Sequence, residues 1–242
     1  MEAIKIEGLT KTYRDVVAVD DLSLSVNEGE LFSLLGVNGA GKTTTIKMLS
    51  CLTQPTSGDA RLLGKSVCRE ANEVKAFIAV SPQETAIAPG LTAKENLELI
   101  CGVHGFKKDK SAEKIKELTN ILGLEGILGR KAGKLSGGWQ RRLSIAMALI
   151  SEPRILFLDE PTLGLDVIAR SDLWDIIRSL KGRVTIILTT HYMEEAEALS
   201  DRIGIMKDGK LLICDTADEI KRVAESHSFE EAFIRIVKGV SK

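Results

Sequence analysis

The segment Gly36-Val37-Asn38-Gly39-Ala40-Gly41-Lys42-Thr43 constrains this chain more than any other. It fits G-x-x-x-x-G-K-[ST], in which glycines let successive backbone N–H groups turn inward around phosphate oxygens. The apolar run Leu31 to Leu35 precedes it, and a helical stretch from Thr43 to Leu52 follows. Strand, glycine-rich turn and helix open a βαβ unit, and the helix aims its positive end at the same anion. Lys42 can reach the β- and γ-phosphates of a nucleotide, and the Thr43 hydroxyl can meet Mg²⁺.

The rest of the pattern agrees with an α/β chain. Ile155-Leu-Phe-Leu158 and Val184-Thr-Ile-Ile-Leu188 are nearly continuous apolar runs, as expected of central parallel strands covered on both faces. Shorter strands are expected at Arg61–Leu63, Phe77–Val80, Ile203–Met206 and Leu211–Cys214, with a hairpin turn at Asp208-Gly209. Alternation over residues 3–7 and from Val16 to Val26, broken at Asp20-Asp21, suits an antiparallel sheet wet on one face. Leu91 to Leu124 reads as helical and charged, an insertion into the core, and Phe229 to Val237 as a closing helix.

Composition excludes several classes. Of 242 residues, 44% are apolar and 28% charged, and 33 Lys+Arg nearly balance 34 Asp+Glu. That is an ordinary globular composition rather than a disordered, collagen-like or strongly basic one, and it gives no support for a nucleic-acid partner. No apolar run approaches the roughly 18 residues of a membrane span. The acidic opening from Met1 to Glu7 does not read as a signal peptide, so the chain by itself is expected neither to cross nor to enter a membrane. Cys51, Cys68, Cys101 and Cys214 show no C-x-x-C spacing, and His104, His191 and His227 do not cluster with them. They read as reduced, mostly buried thiols rather than a zinc site or a disulfide framework.

Two further segments carry chemistry. The strand Ile155 to Leu158 ends in Asp159-Glu160. Asp159 at a strand tip can hold Mg²⁺ through its water shell, and Glu160 can orient or deprotonate an attacking water. Leu135-Ser136-Gly137-Gly138 opens a helix, with Ser136 a suitable N-cap. Two glycines in a first helical turn are costly, and they leave the helix start bare enough for a phosphate to approach the backbone.

Together these motifs resemble the nucleotide-binding domain of the ATP-binding cassette (ABC) transporter family, from near residue 2 to near residue 238. The resemblance implies a P-loop NTPase core with an antiparallel β subdomain and an inserted helical subdomain. Core and β subdomain would take about 2–83 and 136–238, and a helical lobe about 84–135, running into the signature helix. It implies that Gly36, Val37, Asn38, Gly39, Ala40, Gly41, Lys42, Thr43 and Thr44 bind ATP, with Tyr13 stacking on adenine. Gln83 corresponds to the loop glutamine that senses Mg²⁺ and the γ-phosphate, so Thr43, Gln83 and Asp159 form the metal set. Ser136, Gly137 and Gly138 match the signature that binds the γ-phosphate of ATP held by the opposite subunit. Asp166 matches the acid of the loop crossing the dimer interface, and His191, in Thr189-Thr-His191, the switch histidine. Glu160, His191 and Lys42 are then the catalytic group, whereas His104 and His227 are expected on the surface.

This chain departs from the family pattern at Val37 and Val167, where Pro is common, and at Trp139, where Gln or Met is common. None of these removes a group needed for phosphate, metal or water. Trp139 has two readings, a core residue on the face of Leu143 and Met147, or an interface residue beside the partner's nucleotide; the latter is favoured. The resemblance implies an ATPase subunit, at the cytoplasmic face of a membrane, that pairs head to tail with a second copy or a homologous subunit. It would serve separate transmembrane permease subunits, and Thr189-Thr-His-Tyr-Met-Glu-Glu-Ala-Glu197 is similar to cassettes of ABC-2-type exporters. The rival reading is a soluble ABC-type mechanoenzyme or assembly ATPase without transport; a regulatory subunit without hydrolysis is weakened by Glu160.

Overall fold

The computed structural model describes residues 1–239. In chain order its elements are β1 (Glu2–Tyr13), β2 (Val16–Asn27), β3 (Leu31–Leu35), α1 (Lys42–Leu49), β4 (Ser57–Leu62) and β5 (Lys65–Ser66). Next come α2 (Ala71–Lys75), β6 (Ile78–Ser81), α3 (Ala93–Val103), α4 (Lys108–Leu122), α5 (Gly137–Leu149) and β7 (Ile155–Asp159). The last are α6 (Val167–Leu180), β8 (Thr185–Thr190), α7 (Met193–Leu199), β9 (Arg202–Lys207), β10 (Lys210–Asp215), α8 (Ala217–Val223) and α9 (Phe229–Lys238).

Two sheets organise the chain. The first runs β2-β1-β4-β5 and is antiparallel throughout. The second runs β10-β9-β3-β8-β7-β6, and only its β9–β10 edge is antiparallel. The continuous apolar runs of β3, β7 and β8 are buried at every position, as parallel strands covered on both faces must be. Along β3 the side chains alternate between two cores. Phe32 and Leu34 enter the core beneath the antiparallel sheet and α1, while Leu31 enters the core built by α3 to α6. A third cluster seats α8 and α9 on β9 through Ile220, Phe229 and Phe233.

The insertion between β6 and α5 holds α3 and α4, followed by short 3-10 turns at Glu125–Ile127 and Ala132–Lys134. Leu97, Cys101, Ile115, Leu118 and Leu122 carry its apolar stripe onto the same core as Leu143 and Ala146 of α5. A capping box begins α3, in which the Thr92 hydroxyl accepts from the Glu95 N–H and Glu95 accepts from Thr92 N–H at 2.7 Å.

Some local expectations change. Asp20-Asp21 does not break the strand, since β2 runs through both. Asp21 takes φ 50° within a stretch where the β1–β2 register shifts, which is how a bulge absorbs an extra residue. The thiols are not mostly buried either. Cys101 is buried, Cys51 and Cys214 are half-buried and Cys68 is exposed, because β4–β5 is a short edge hairpin with little covering it. His104 and His227 are exposed, as expected.

The β1–β4 pairing depends on one glycine. Gly58 has φ +75°, and a Cβ there would sit 2.1 Å from the Gly8 carbonyl oxygen across the pair. Gly58→Ala is expected to cost about 2 kcal/mol or more of folding stability, since left-handed strain and a backbone clash add. A lowered urea midpoint with an unchanged slope checks this; an unchanged midpoint would contradict it.

Candidate nucleotide site at the strand ends

Parallel strands release their chains at one edge. Because β3, β8 and β7 are neighbours, the segments leaving them share that edge, the place where open α/β sheets bind ligands. Leu35 pairs with Thr190, and Thr189 with Asp159, so the three exits are level. The segment after β3 is Gly36–Gly41, that after β7 begins at Glu160, and that after β8 carries His191. These surround a cavity of about 710 Å³ lined by Asn38 to Thr44, Gln83, Glu160 and His191.

The phosphate loop closes through its backbone. Gly41 is the N-cap of α1 at φ +102°, and a Cβ there would meet the Ala18 carbonyl at 2.5 Å, so only glycine fits. The N-terminus of α1 therefore opens into the cavity with no side-chain cap. Lys42, 5% exposed, donates to the carbonyls of Gly36 at 2.7 Å and Val37 at 3.3 Å, and its ammonium lies 3.4 Å from Glu160 Oε1. Gly36 and Val37 thus hold Lys42 rather than line the cavity.

Asp159 is buried beneath this loop. Its Oδ1 accepts from Thr43 Oγ1 at 3.1 Å and from Thr189 Oγ1 at 2.5 Å. A hydroxyl and a carboxylate are hard oxygen donors of the kind Mg²⁺ takes, since it keeps several waters and uses few protein ligands. The donor set of Thr43 and Asp159 therefore fits Mg²⁺, with Gln83 on the cavity wall.

Glu160 follows in a left-handed conformation at φ 48°, its N–H donating to both the carbonyl and the hydroxyl of Thr189. Strained backbone of this kind persists only where neighbours hold it, and it concentrates at functional sites. Glu160 Oε2 lies 3.3 Å from His191 Nδ1, close but misaligned for a hydrogen bond. Such geometry commonly tightens only around a bound reactant. Cation, carboxylate and imidazole thus form a row along one wall, able to neutralise phosphate charge and orient a water.

Other residues lie farther off. Tyr13 is exposed at the end of β1, opposite Val16, and it is Val16 to Ala18 rather than Tyr13 that line the cavity. Ser136 occupies the N-cap position of α5 but makes no side-chain cap bond, contrary to the capping expectation, and Ser136 and Gly137 are exposed. Gly138 lets α5 approach α6 closely, since a Cβ there would meet Ala169 at 3.1 Å, whereas one on Gly137 would make an ordinary contact with Leu165 at 3.5 Å. Asp166 is exposed and caps α6 by accepting from Ala169 N–H at 2.9 Å. Trp139 meets the core reading in part. It is half-buried against the α3–α6 core, with the Arg142 guanidinium 4.7 Å from its ring centroid.

Sequence reasoning overlooked Arg141 and the role of Thr189. Arg141 is buried and donates to the carbonyls of Pro82 and Gln83, both at 2.6 Å. Burial lowers its pKa from the usual value. The only signal in the sequence was a basic residue on the otherwise buried face of α5, one turn beyond the glycines.

Comparison with known proteins fits this geometry. Residues 19–163 match a family profile described as ABC transporter. The daunorubicin/doxorubicin resistance ATP-binding protein DrrA of Streptomyces peucetius is 41% identical over 90% of this chain and 67% of its own length. The phospholipid-transporting ATPase ABCA3 of Homo sapiens is 41% identical over 90% of this chain, which spans only 13% of that protein. Among solved structures, an ATP-binding subunit of an ABC transporter superposes with TM-score 0.85 at 27% identity, covering 97% of this chain and 99% of that one. A dimeric ATP-binding cassette in a post-hydrolysis state, bound to ADP and Pi, superposes with TM-score 0.79 at 27% identity, covering 88% and 98%.

Lys42→Ala removes the ammonium facing the cavity and leaves Glu160 without its cation. ATP turnover is expected to fall by about 100-fold or more, with circular dichroism unchanged. A purified variant keeping more than half of wild-type turnover contradicts the assignment.

Proposed function

The chain belongs to the ABC transporter family, and from this we propose that it is the ATP-binding and hydrolysing subunit of a membrane exporter. The observation that carries this reading is the meeting of Lys42, Thr43, Asp159, Glu160 and His191 at the shared edge of β3, β7 and β8. In this reading the single cassette over residues 2–238 works in pairs. Asn38 to Thr44 wrap the phosphates, Gly36 and Val37 hold Lys42, Lys42 neutralises the phosphate charge, and adenine stacks at the hairpin that bears Tyr13. Glu160 orients the attacking water and accepts its proton, and His191 supports Glu160 and the γ-phosphate. Thr43 and Asp159, with Gln83 nearby, would hold Mg²⁺, which would supply neutralisation of negative charge on the phosphates.

Ser136, Gly137 and Gly138 then serve the nucleotide of a second copy or a homologous subunit, with Trp139 and Asp166 at the contact. Exposed apolar side chains support such a partner, since Val167 and Ile168, beside Asp166, are 74% and 76% exposed. ATP acts as a ligand that favours the closed pair, and its loss on hydrolysis releases it. Among the described residues no helix is long and apolar enough to cross a membrane. By its likeness to ATP-binding proteins of membrane transporters, the chain is proposed to sit peripherally at the cytoplasmic face, docked to separate permease subunits. The similarity to DrrA supports an export role.

Glu160→Gln keeps the shape of the side chain but removes the base. It is expected to bind ATP, hydrolyse it poorly and elute as a dimer in Mg²⁺ and ATP. A monomer with tightly bound ATP counts against the paired site. Capture of a multi-span membrane protein with the tagged chain from solubilised membranes supports the transport role, and its absence favours a soluble ATPase.

A further inference from the structure

Behind His191 lies a buried polar cluster that the chemistry above does not use. Glu195 stands four residues beyond His191, in the first turn of α7, and is fully buried at 0% exposure. Burying a carboxyl group is expensive unless its oxygens are bonded. Glu195 Oε1 accepts from the Trp174 indole N–H on α6 at 3.0 Å. Oε2 is buried with no hydrogen-bond partner of good geometry. Burial pushes this carboxyl above the usual carboxylate range, against the pull of the Thr190 and Thr162 hydroxyls, the indole and the Arg170 charge.

The neighbouring groups are under-satisfied too. Among the described residues, the buried side-chain atoms without a partner are Thr162 Oγ1, Arg170 Nε, His191 Nδ1, Glu195 Oε2 and the distant Thr119 Oγ1. Thr162, Arg170 and Glu195 belong to one cluster, whereas His191 Nδ1 faces Glu160 at 3.3 Å. Folded proteins leave few such groups, and a partly satisfied polar network in a low-dielectric interior carries a high energetic stake. The cluster is also mechanically continuous. Arg170, on α6, stacks over the Tyr192 ring at 5.0 Å, and that ring lies 4.1 Å from the His191 ring, centroid to centroid. Thr162 stands two residues after Glu160, in the loop that leads to Asp166. The Tyr192 N–H donates to Thr190 Oγ1 at 2.9 Å, which pins the turn that presents His191.

We propose that Glu195 is a positioning residue for hydrolysis, locking α7 to α6 through Trp174, and so setting where Tyr192 and His191 stand against Glu160. This rests on the reading of His191 as part of the catalytic wall. α7 is a short helix, Met193–Leu199, and a single buried contact at its first turn has leverage over the loop before it.

Steady-state ATPase kinetics on the full chain test this with Glu195→Ala, Glu195→Gln, Trp174→Phe, His191→Ala and the Glu195→Ala/His191→Ala double variant. Misplacing a catalytic group by about 1 Å costs up to about a hundred-fold, so Glu195→Ala is expected to lower kcat about ten- to hundred-fold. KM for ATP should move by less than about three-fold, because the phosphate loop is untouched. Glu195→Gln keeps the shape and an acceptor for Trp174, and should recover at least about half of the wild-type kcat. Trp174→Phe, a mild change of volume, should lower kcat without raising KM even if Glu195→Ala fails to fold. The double variant should be no slower than His191→Ala alone, since both losses pass through one imidazole. Multiplying losses in the double variant, or a wild-type kcat in both Glu195→Ala and Trp174→Phe, overturn the proposal while His191 keeps its role. Wild-type turnover in His191→Ala overturns the role of His191, and this proposal with it.

Discussion

The arrangement of the site hangs on one buried carboxylate. Asp159 Oδ1 receives the hydroxyls of Thr43 and Thr189, from α1 and β8, while Asp159 itself ends β7. A buried anion needs such donors, and here each donor belongs to a different arm of the site. The Thr189 hydroxyl also accepts the Glu160 N–H, which holds Glu160 in its left-handed turn. The Gly36–Thr43 loop, Asp159, Glu160 and the His191 segment are thus tied within a few bonds. The strain at Glu160 and the close Lys42–Glu160 pair are sustained by that frame, since buried charges cost stability unless paired and bonded.

A second junction joins the opposite side of the molecule to the same frame. Arg141, buried on α5, grips the carbonyls of Pro82 and Gln83 with two short bonds. Hydrogen bonds from a charged donor are among the stronger ones, so the Gln83 loop is fastened to the helix whose start is Ser136–Gly138. That start in turn rests on Leu165 and Ala169, at the loop and helix that follow Glu160. The face that lines the cavity and the exposed face bearing the signature glycines are therefore parts of one packed body. Interiors at crystal-like density transmit displacement rather than absorb it.

Much of this protein was legible in its sequence, for a local reason. The Gly36–Thr43 loop, Asp159-Glu160 after an apolar strand and the glycines that begin α5 are short contiguous segments that can be recognised along the chain. Continuous apolar runs identified the central strands because burial on both faces leaves no polar alternation. Tertiary structure alone decided what non-local pairing controls. The order β3-β8-β7 levels Leu35 with Thr190 and Thr189 with Asp159, and that register turns three separate segments into one wall. It made Thr189 a shared donor, put Arg141 beneath Gln83 and buried Glu195 against Trp174. It also left Tyr13 off the cavity that Val16 lines, and Cys68 on the surface. A hydroxyl, a guanidinium or a carboxyl reads as ordinary surface polarity along a chain. Only the fold decides which of them lose water, and a polar group that loses water must find a partner in whatever the fold has brought beside it.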